Sequence, residues 1–278
     1  MRNTTALVFA CVVGFAIVGT AQGQEFARVL KNGEQATLSV FGGRPVDLAA
    51  KELVNEFGVA VNVEDPLYLY DDDVQFSHVA ASGKRVMVPR AALLEMPLVL
   101  KGDGSMRDVG QAVEALRDVA NRQLPFAYRI DNDRDVCTLV PTRTRDEQGR
   151  SVDLSPLLDR HVTVPLGTRR IFQHVNLVTE SLQRQTGVRV SCCQAHVGGT
   201  LWGSTVISFE ARDEPARSAF LRLLRSEPGR DRVIPIEHTG AFRLVKADAG
   251  REHWHWLMRC QPAEAWCFIN VAAIPEKP

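Results

Sequence analysis

Two stretches of the chain carry the same pattern, and this repetition constrains the fold more than any other feature. They are "DLAAKELVNEFGVAVNVED" at 47–65 and "VNLVTESLQRQTGVRVSC" at 175–192. Each has apolar residues at helical spacing, then a glycine (Gly58 or Gly187), then residues that alternate between apolar and polar. The pattern predicts an amphipathic helix that ends at the glycine and a half-buried strand after it. We therefore expect an internal duplication of one small module.

The segments that follow each copy continue the same order. Each contains a strand pattern, a second helical pattern and two more strand patterns, and a further strand can precede each first helix at "ATLSVF" and "HVTVPL". This order predicts an α+β fold, with two related helix-and-sheet modules in tandem and a C-terminal β-hairpin. The predicted boundaries are a first module at 24–141 with an insert at about 66–96, a linker at 142–161, a second module at 162–247, and a hairpin and tail at 248–278.

Capping residues predict where the second helix of each copy begins. We expect Ser105 to cap the first of these helices, with Asp108 at the acidic position of a capping box. We expect Asp213 to cap the other, with Pro215 in its first turn.

The second copy carries the motifs of a known family most clearly. "LVTESLQRQTGVRVS" is followed by "STVISFEARDEPARSAFLRLLR", in which Ala219-Phe220 and Leu223-Leu224 form the apolar stripe of the helix. This arrangement resembles the short N-terminal domain of secretins and TonB-dependent transducers, moderately over 162–247 and weakly over 38–141. The resemblance implies a protein–protein interaction module without catalytic residues, and no cofactor is expected.

The first 23 residues have the features of a secretory signal peptide. Arg2 precedes an apolar run from about Ala6 to Val18, and Ala21-Gln22-Gly23 fits the small-x-small rule for cleavage. The run is short for a membrane span, and no later segment has the length and apolarity of one. We expect export to the periplasm or the extracellular space, with no transmembrane segment in the mature chain; the alternative is an uncleaved N-terminal anchor.

The balance of charges bears on the class of partner. Lysine and arginine together number 33, and aspartate and glutamate together also number 33. General nucleic-acid binding requires a concentrated excess of basic residues that displaces counterions. We therefore expect no nucleic-acid partner, whereas a protein partner in the cell envelope fits an exported chain. No sequence feature indicates an oligomeric state.

Five cysteines lie outside the predicted signal peptide, and export would permit them to form disulfides. Cys260 and Cys267 flank a short turn, which predicts a disulfide that closes a hairpin. Cys137, in the last strand of the first module, could bond to Cys192 or Cys193 and so tie the two modules together. An odd count leaves at least one thiol outside any internal bond.

Three other sequences contain metal-binding residue types without suitable spacing. The adjacent cysteines are followed by His196, but neighbouring residues on a strand point to opposite sides and chelate poorly. His253 and His255 share one face of a predicted strand, without a nearby carboxylate or third histidine. The triplet "DDD" at 71–73 lacks the spacing and the glycine of a calcium loop. We predict no metal site.

The sequence leaves two main functions open, and a third possibility is an inhibitor or carrier that uses the predicted Cys260–Cys267 hairpin as its contact loop. The sequence contains no P-loop, dinucleotide fingerprint, nucleophile elbow or zinc-protease motif. Together with the duplicated module, this favours an exported, non-enzymatic interaction module of the cell envelope. The alternative is an exported, hydrolase-like enzyme in which Trp, His and Asp side chains line a pocket between the two modules.

Overall fold

The computed structural model describes residues 25–78, 85–133, 136–194, 206–225, 231–235, 242–246, 254–261 and 265–273. These residues form an α+β fold, as predicted. The elements are β1 Phe26–Asn32, β2 Gln35–Gly42, α1 Pro45–Phe57, β3 Val61–Glu64, β4 Val74–His78, β5 Arg85–Pro89, β6 Ala92–Val99, α2 Val109–Gln123, β7 Ala127–Asp133, β8 Val136–Arg145, β9 Ser151–Asp153, β10 His161–Arg170, α3 Ile171–Thr186, β11 Arg189–Gln194, β12 Val206–Pro215, α4 Ala216–Leu224, β13 Asp231–Pro235, β14 Phe242–Lys246, β15 Trp254–Cys260 and β16 Trp266–Ala273. Short 3-10 helices lie at Asp71–Asp73 and Leu157–Asp159.

One large sheet runs through the protein and contains strands from both halves of the chain. Its order is β11-β16-β15-β3-β8-β7, and β9 adds to β8. Strands β15 and β16 form an antiparallel hairpin in which Cys260 lies opposite Cys267. The hairpin pairs in parallel with β3 on one side and with β11 on the other. The predicted C-terminal hairpin is therefore present, and it joins the strands of the two halves.

Each face of the hairpin strand β15 contributes to a different hydrophobic core. Leu257 packs into the core of the first half, together with side chains of α1, α2, β2 and β6. Trp256 and Met258 pack into the core of the second half, against α3, α4 and β10. Full burial of a large apolar side chain stabilises a fold by roughly 1.5–3 kcal/mol. This strand therefore stabilises both halves at once.

In each half the strand before the first helix pairs antiparallel with the strand before the second helix. In the first half, β2 pairs with β6, and β1 joins the other edge of β2 to give a three-stranded sheet. In the second half, β10 pairs with β12. The strands that close the halves differ, because β7 and β8 lie in the large sheet, whereas β13 and β14 pair with each other.

The predicted helix ends agree with the structure better than the predicted helix starts. Gly58 and Gly187 both adopt the left-handed conformation after α1 and α3, with φ of 67° and 72°. The cap of α2 is Asp108, whose side chain accepts a hydrogen bond from the Gln111 amide, and not Ser105. Asp213 is also not a cap, because β12 continues to Pro215 and α4 begins at the next residue.

The predicted linker at 142–161 contains regular structure. Strand β8 extends to Arg145 and pairs with β9, so this part of the segment belongs to the large sheet. The residues after β9 form the 3-10 helix Leu157–Asp159, in which Leu158 is fully buried in the core of the second half. None of the helices in the described ranges is long and apolar enough to cross a membrane.

Candidate functional site

A cleft of about 150 Å³ lies beside the first turn of α1. It is lined by residues from the start of that helix, the loop after β3, the 3-10 helix Asp71–Asp73, the β5–β6 connection and the loop after α2. We call it the Arg44 cleft, after the residue that precedes α1. A single water needs at least about 10–15 Å³ by this measure and takes up about 30 Å³ in the liquid, so the cleft has room for several waters or one large side chain.

Gly43 lets the end of β5 lie close to the start of α1. A Cβ atom placed on Gly43 would lie 2.7 Å from the carbonyl oxygen of Pro89, closer than real Cβ contacts. The glycine therefore permits the insert predicted at about 66–96 to pack against this end of α1, where it forms one wall of the cleft.

Arg44 and Asp65 form the ion pair at the centre of the cleft. Arg44 Nε donates to Asp65 Oδ2 at 2.7 Å, and Arg44 Nη2 donates to the carbonyl oxygen of Cys260 at 2.8 Å. Asp65 also accepts hydrogen bonds from the Tyr68 hydroxyl at 2.8 Å and from the Cys260 amide at 3.1 Å. Both carboxylate oxygens of Asp65 are thus bonded, and the C-terminal hairpin supplies one of the donors.

The hydroxyl of Tyr68 stays protonated in this arrangement. Burial, together with the negative charge of Asp65, raises the pKa of Tyr68 well above its ordinary value. The ring of Tyr68 meets that of Phe126 edge to face, with 5.3 Å between centroids, and Tyr128 lies beside them in the cleft lining. The floor of the cleft is therefore aromatic.

Two further arginines line the cleft and differ in how firmly they are held. Arg145 makes a bidentate ion pair with the buried Asp73, with 3.1 Å between Nε and Oδ2, and stacks over the ring of Tyr70. Arg90 is mostly exposed, and its guanidinium lies 3.9 Å from Asp72. A surface contact at this distance contributes little energy. Arg90 is therefore the cleft arginine best able to accept a new anionic partner.

The remaining carboxylate in the lining, Asp47, is held by cations from two directions. Arg259 of the hairpin donates to its Oδ2 atom, and the Lys51 ammonium lies 3.5 Å from the same atom. The Oδ1 atom is buried and has no hydrogen-bond partner among the described residues. Asp47 thus connects α1 to the hairpin, and its one unbonded oxygen is buried away from the cleft surface.

A second cluster of charges lies between the two halves. Glu64 of β3 is fully buried and accepts a hydrogen bond of 2.5 Å from Arg217 Nε of α4. Arg217 also binds Asp131 and Asp159, and Arg129 binds the same two aspartates. Burial raises the pKa of Glu64 to about 7, although Arg217 opposes the shift. Glu64 and Arg217 are buried, whereas Arg129, Asp131 and Asp159 are partly exposed, so the cluster is a contact between the halves with its one perturbed carboxyl group out of reach of a substrate.

One of the two predicted disulfides is present. Cys260 and Cys267 form the expected disulfide, with a sulfur–sulfur distance of 2.06 Å. Cys137 is a free thiol on β8, and Cys192 and Cys193 lie on β11. Four strand spacings of about 4.8 Å separate β8 from β11, roughly 19 Å in all. A disulfide requires Cα atoms within about 7 Å, so the proposed bond between the modules is wrong.

The Cys137 thiol is also unsuited to redox chemistry. Burial raises its pKa and so lowers the fraction present as the reactive thiolate. Its place is architectural, since it lies opposite Val61 where β3 and β8 pair.

The other sequence candidates are not brought together as a site. The triplet at 71–73 forms a 3-10 helix in which Asp73 binds Arg145 and Asp72 accepts from the Tyr70 hydroxyl. His196 and His253 lie outside the described residues. Among the side chains that the structure describes, no three His, Cys, Asp or Glu residues are placed to hold a metal ion.

Sequence reasoning missed the main residues of the Arg44 cleft. Arg44, Asp65 and Tyr68 stand in no recognised motif, and Arg145 lies in the predicted linker at 142–161. One signal was available, because an arginine directly before the proline that starts a helix cannot cap it and is free to bind elsewhere. The acidic partner on the next strand could not be inferred from that signal.

Comparison with known proteins finds no family model, no curated protein and no solved structure that matches this chain.

Proposed function

We propose that this protein is an exported, non-enzymatic interaction module of the cell envelope, and that it binds a protein partner through the Arg44 cleft. The observation that carries the proposal is the state of the cleft carboxylates. Asp65 accepts three hydrogen bonds, Asp73 is held by Arg145, and Asp47 is held by Arg259 and Lys51. A general base needs a lone pair directed at the substrate. Asp65 and Asp73 use theirs on the frame of the cleft, the unbonded Oδ1 of Asp47 is buried out of reach, and Asp72 accepts from the Tyr70 hydroxyl.

The chemistry of the lining indicates what the cleft could bind. Tyr68 offers partly exposed aromatic surface, backed by the largely buried rings of Phe126 and Tyr128, and Arg90 offers a weakly held guanidinium at the exposed rim. A protein segment with an aromatic or apolar side chain beside an acidic residue would match both. The anchor would fill the cleft, and the carboxylate would replace the 3.9 Å contact between Arg90 and Asp72 with a charge-assisted hydrogen bond.

Export is part of the same proposal. The disulfide between Cys260 and Cys267 suits an oxidising compartment such as the periplasm or the extracellular space. The residues predicted as a signal peptide, 1–23, lie outside the described part of the chain. The resemblance to the short N-terminal domain of secretins and TonB-dependent transducers, and the descent of the two halves from one duplicated module, remain proposals that fit an envelope role.

Selection from a peptide library tests the cleft directly. We expect the immobilised protein to enrich peptides that place an aromatic or large apolar residue next to Asp or Glu. Binding of the best peptide should weaken at least tenfold with Arg90→Glu, since the charge at the rim is reversed. The matched control is Arg184→Glu, an exposed arginine on α3 in the other half, which should leave binding unchanged.

Two outcomes would count against the proposal. Enriched peptides whose affinity does not respond to Arg90→Glu would place the binding surface elsewhere. Cleavage of a bound peptide, detected by mass spectrometry, would contradict the non-enzymatic proposal. It would support the alternative, an exported hydrolase.

A further inference from the structure

The outer face of the three-stranded sheet β1-β2-β6 is unusually apolar for an exposed surface. Side chains alternate along each strand, and the inner set, which includes Leu38, Val40, Leu94 and Met96, packs into the core of the first half. The outer set leaves Phe26 40%, Leu30 56% and Leu93 49% exposed, with Val99 similarly exposed at one end. Several large apolar side chains exposed on one face are typical of an interaction site.

The pairing registers arrange these outer residues in three rows across the sheet. The first row is Phe26, Phe41 and Leu93; the second is Arg28, Ser39 and Glu95; the third is Leu30, Thr37 and Pro97. Each row has one residue from β1, one from the central strand β2 and one from β6. A row with one cation and one anion thus lies between two largely apolar rows.

Within the described residues, the two charges of the middle row make only contacts that are not ion pairs. Glu95 accepts a hydrogen bond from the Ser39 hydroxyl at 3.1 Å, and Arg28 lies over the ring of Phe26 with 5.3 Å to its centroid. Arg28 and Glu95 are on opposite sides of Ser39, two strand spacings of about 4.8 Å apart. The described residues form no salt bridge with either charge.

We propose that this face binds a second copy of the chain, packed face to face about a two-fold axis parallel to β2. Rotation about that axis exchanges the β1 and β6 positions, because they lie on opposite sides of β2. Arg28 of each copy then lies over Glu95 of the other, and Phe26 lies over Leu93. The face is therefore complementary to itself, as a two-fold interface must be.

The alternative two-fold arrangement is disfavoured by charge. An axis perpendicular to the strands would place Arg28 over Arg28 and Glu95 over Glu95, and like charges in contact cost several kcal/mol. Stacked sheets lie about 10 Å apart with their strands roughly aligned, a gap that arginine and glutamate side chains can bridge. The patch is small compared with stable interfaces, which bury about 800 Å² per partner, so we expect a weak dimer.

Charge reversal with sedimentation velocity, on the purified protein over a range of concentrations, tests the arrangement. We expect wild-type protein to dimerise reversibly. Arg28→Glu and Glu95→Arg should each weaken association at least tenfold, because each places like charges opposite each other twice. The double variant should return to within about threefold of wild type. The matched control is the exposed pair Glu180→Arg and Arg184→Glu on α3, which should change nothing.

Several results would overturn the dimer. One is a wild-type protein that stays monomeric at every concentration. Another is an association constant that neither single charge reversal changes. A third is a double variant that associates no more strongly than the single variants. Circular dichroism melts of each variant separate loss of association from loss of folding. The proposal does not depend on the Arg44 cleft. The Arg28→Glu variant should still bind peptides, and the Arg90→Glu variant should still self-associate, so each proposal can fail without the other.

Discussion

Glu64 and Asp65 are neighbours in sequence, both buried, and they point to opposite faces of the large sheet. Asp65 faces the first half, where Arg44, Tyr68 and the Cys260 amide bond to both of its oxygens. Glu64 faces the second half, where only one of its oxygens is bonded, to Arg217. Burial raises the pKa of both carboxyl groups, and that of Glu64 reaches about 7.

The difference shows that the stabilisation of a buried carboxylate depends on the number of hydrogen-bond donors as much as on the presence of a counter-ion. Around Glu64, two arginines (Arg129 and Arg217) serve three carboxylates, so the cluster has one surplus negative charge. Around Asp65, one arginine, one phenol and one amide serve a single carboxylate. We infer that the contact between the halves is the more fragile of the two.

The largest expected effect comes from Arg217→Ala. Removing the guanidinium leaves Glu64 buried without a donor and removes a partner of Asp131 and Asp159. We expect the free energy of unfolding to fall by about 3–5 kcal/mol, measured by urea denaturation. The matched variant Glu64→Met with Arg217→Met, which removes both charges, should recover most of that loss. Equal losses in the two variants would show that the ion pair is not the cause.

The next effect is a pH dependence that Glu64 confers. Its pKa in the folded protein, about 7, lies above its ordinary value of 4.5. Between these values the folded protein binds more protons than the unfolded chain, so this contribution to stability falls as pH rises. The fall should be on the order of 3 kcal/mol between about pH 4.5 and 7. Glu64→Gln should lack it, and identical pH profiles for the two proteins in urea denaturation would exclude the effect.

Reducing the Cys260–Cys267 disulfide tests the Asp65 side of the comparison. The hairpin carries both the Cys260–Cys267 bond and the amide that binds Asp65. Closing a loop of this length should stabilise the fold by about 2 kcal/mol. Wild type in reductant and the Cys260→Ser, Cys267→Ser variant should lose the same free energy of unfolding. No change on reduction would mean that strand pairing alone holds the hairpin.

The smallest expected effect is that of Tyr68→Phe. The substitution removes one of the three donors to Asp65 and retains the ring contact with Phe126. We expect a loss of about 1 kcal/mol, at the low end for a buried acceptor that loses its donor, because Oδ1 is left unbonded while Arg44 and the Cys260 amide still bind Oδ2. A loss as large as that of Arg217→Ala would contradict the view that extra donors protect Asp65.

Local patterns in the sequence were sufficient to predict the α+β class and the ends of two helices. Gly58 and Gly187 end α1 and α3 because their left-handed conformation is strongly disfavoured in other residues. The disulfide was also predictable, since both of its cysteines lie within one short hairpin. These features depend on neighbours along the chain.

The strand at Val61–Glu64 shows what local patterns could not reveal. Its alternation of valine with Asn62 and Glu64 is typical of a strand with one face in water, yet all four residues are buried. Asn62 binds the Trp256 amide and the Thr138 hydroxyl, and Glu64 binds Arg217. Polar residues at alternate positions can face solvent or can form a buried contact with a distant part of the chain, and the local pattern does not distinguish the two. The Arg44 cleft could not be predicted because its residues also come from distant parts of the chain.

Native-state hydrogen exchange tests most directly whether the C-terminal hairpin unites the two halves. If β15 and β16 lie between β3 and β11, the amides of all four strands should open together, with one free energy close to that of global unfolding. That free energy should fall by the same amount in every strand when Arg217 is replaced by alanine. Fast exchange in β15 and β16 beside a protected β3 would contradict this account, because the halves would then fold without the hairpin.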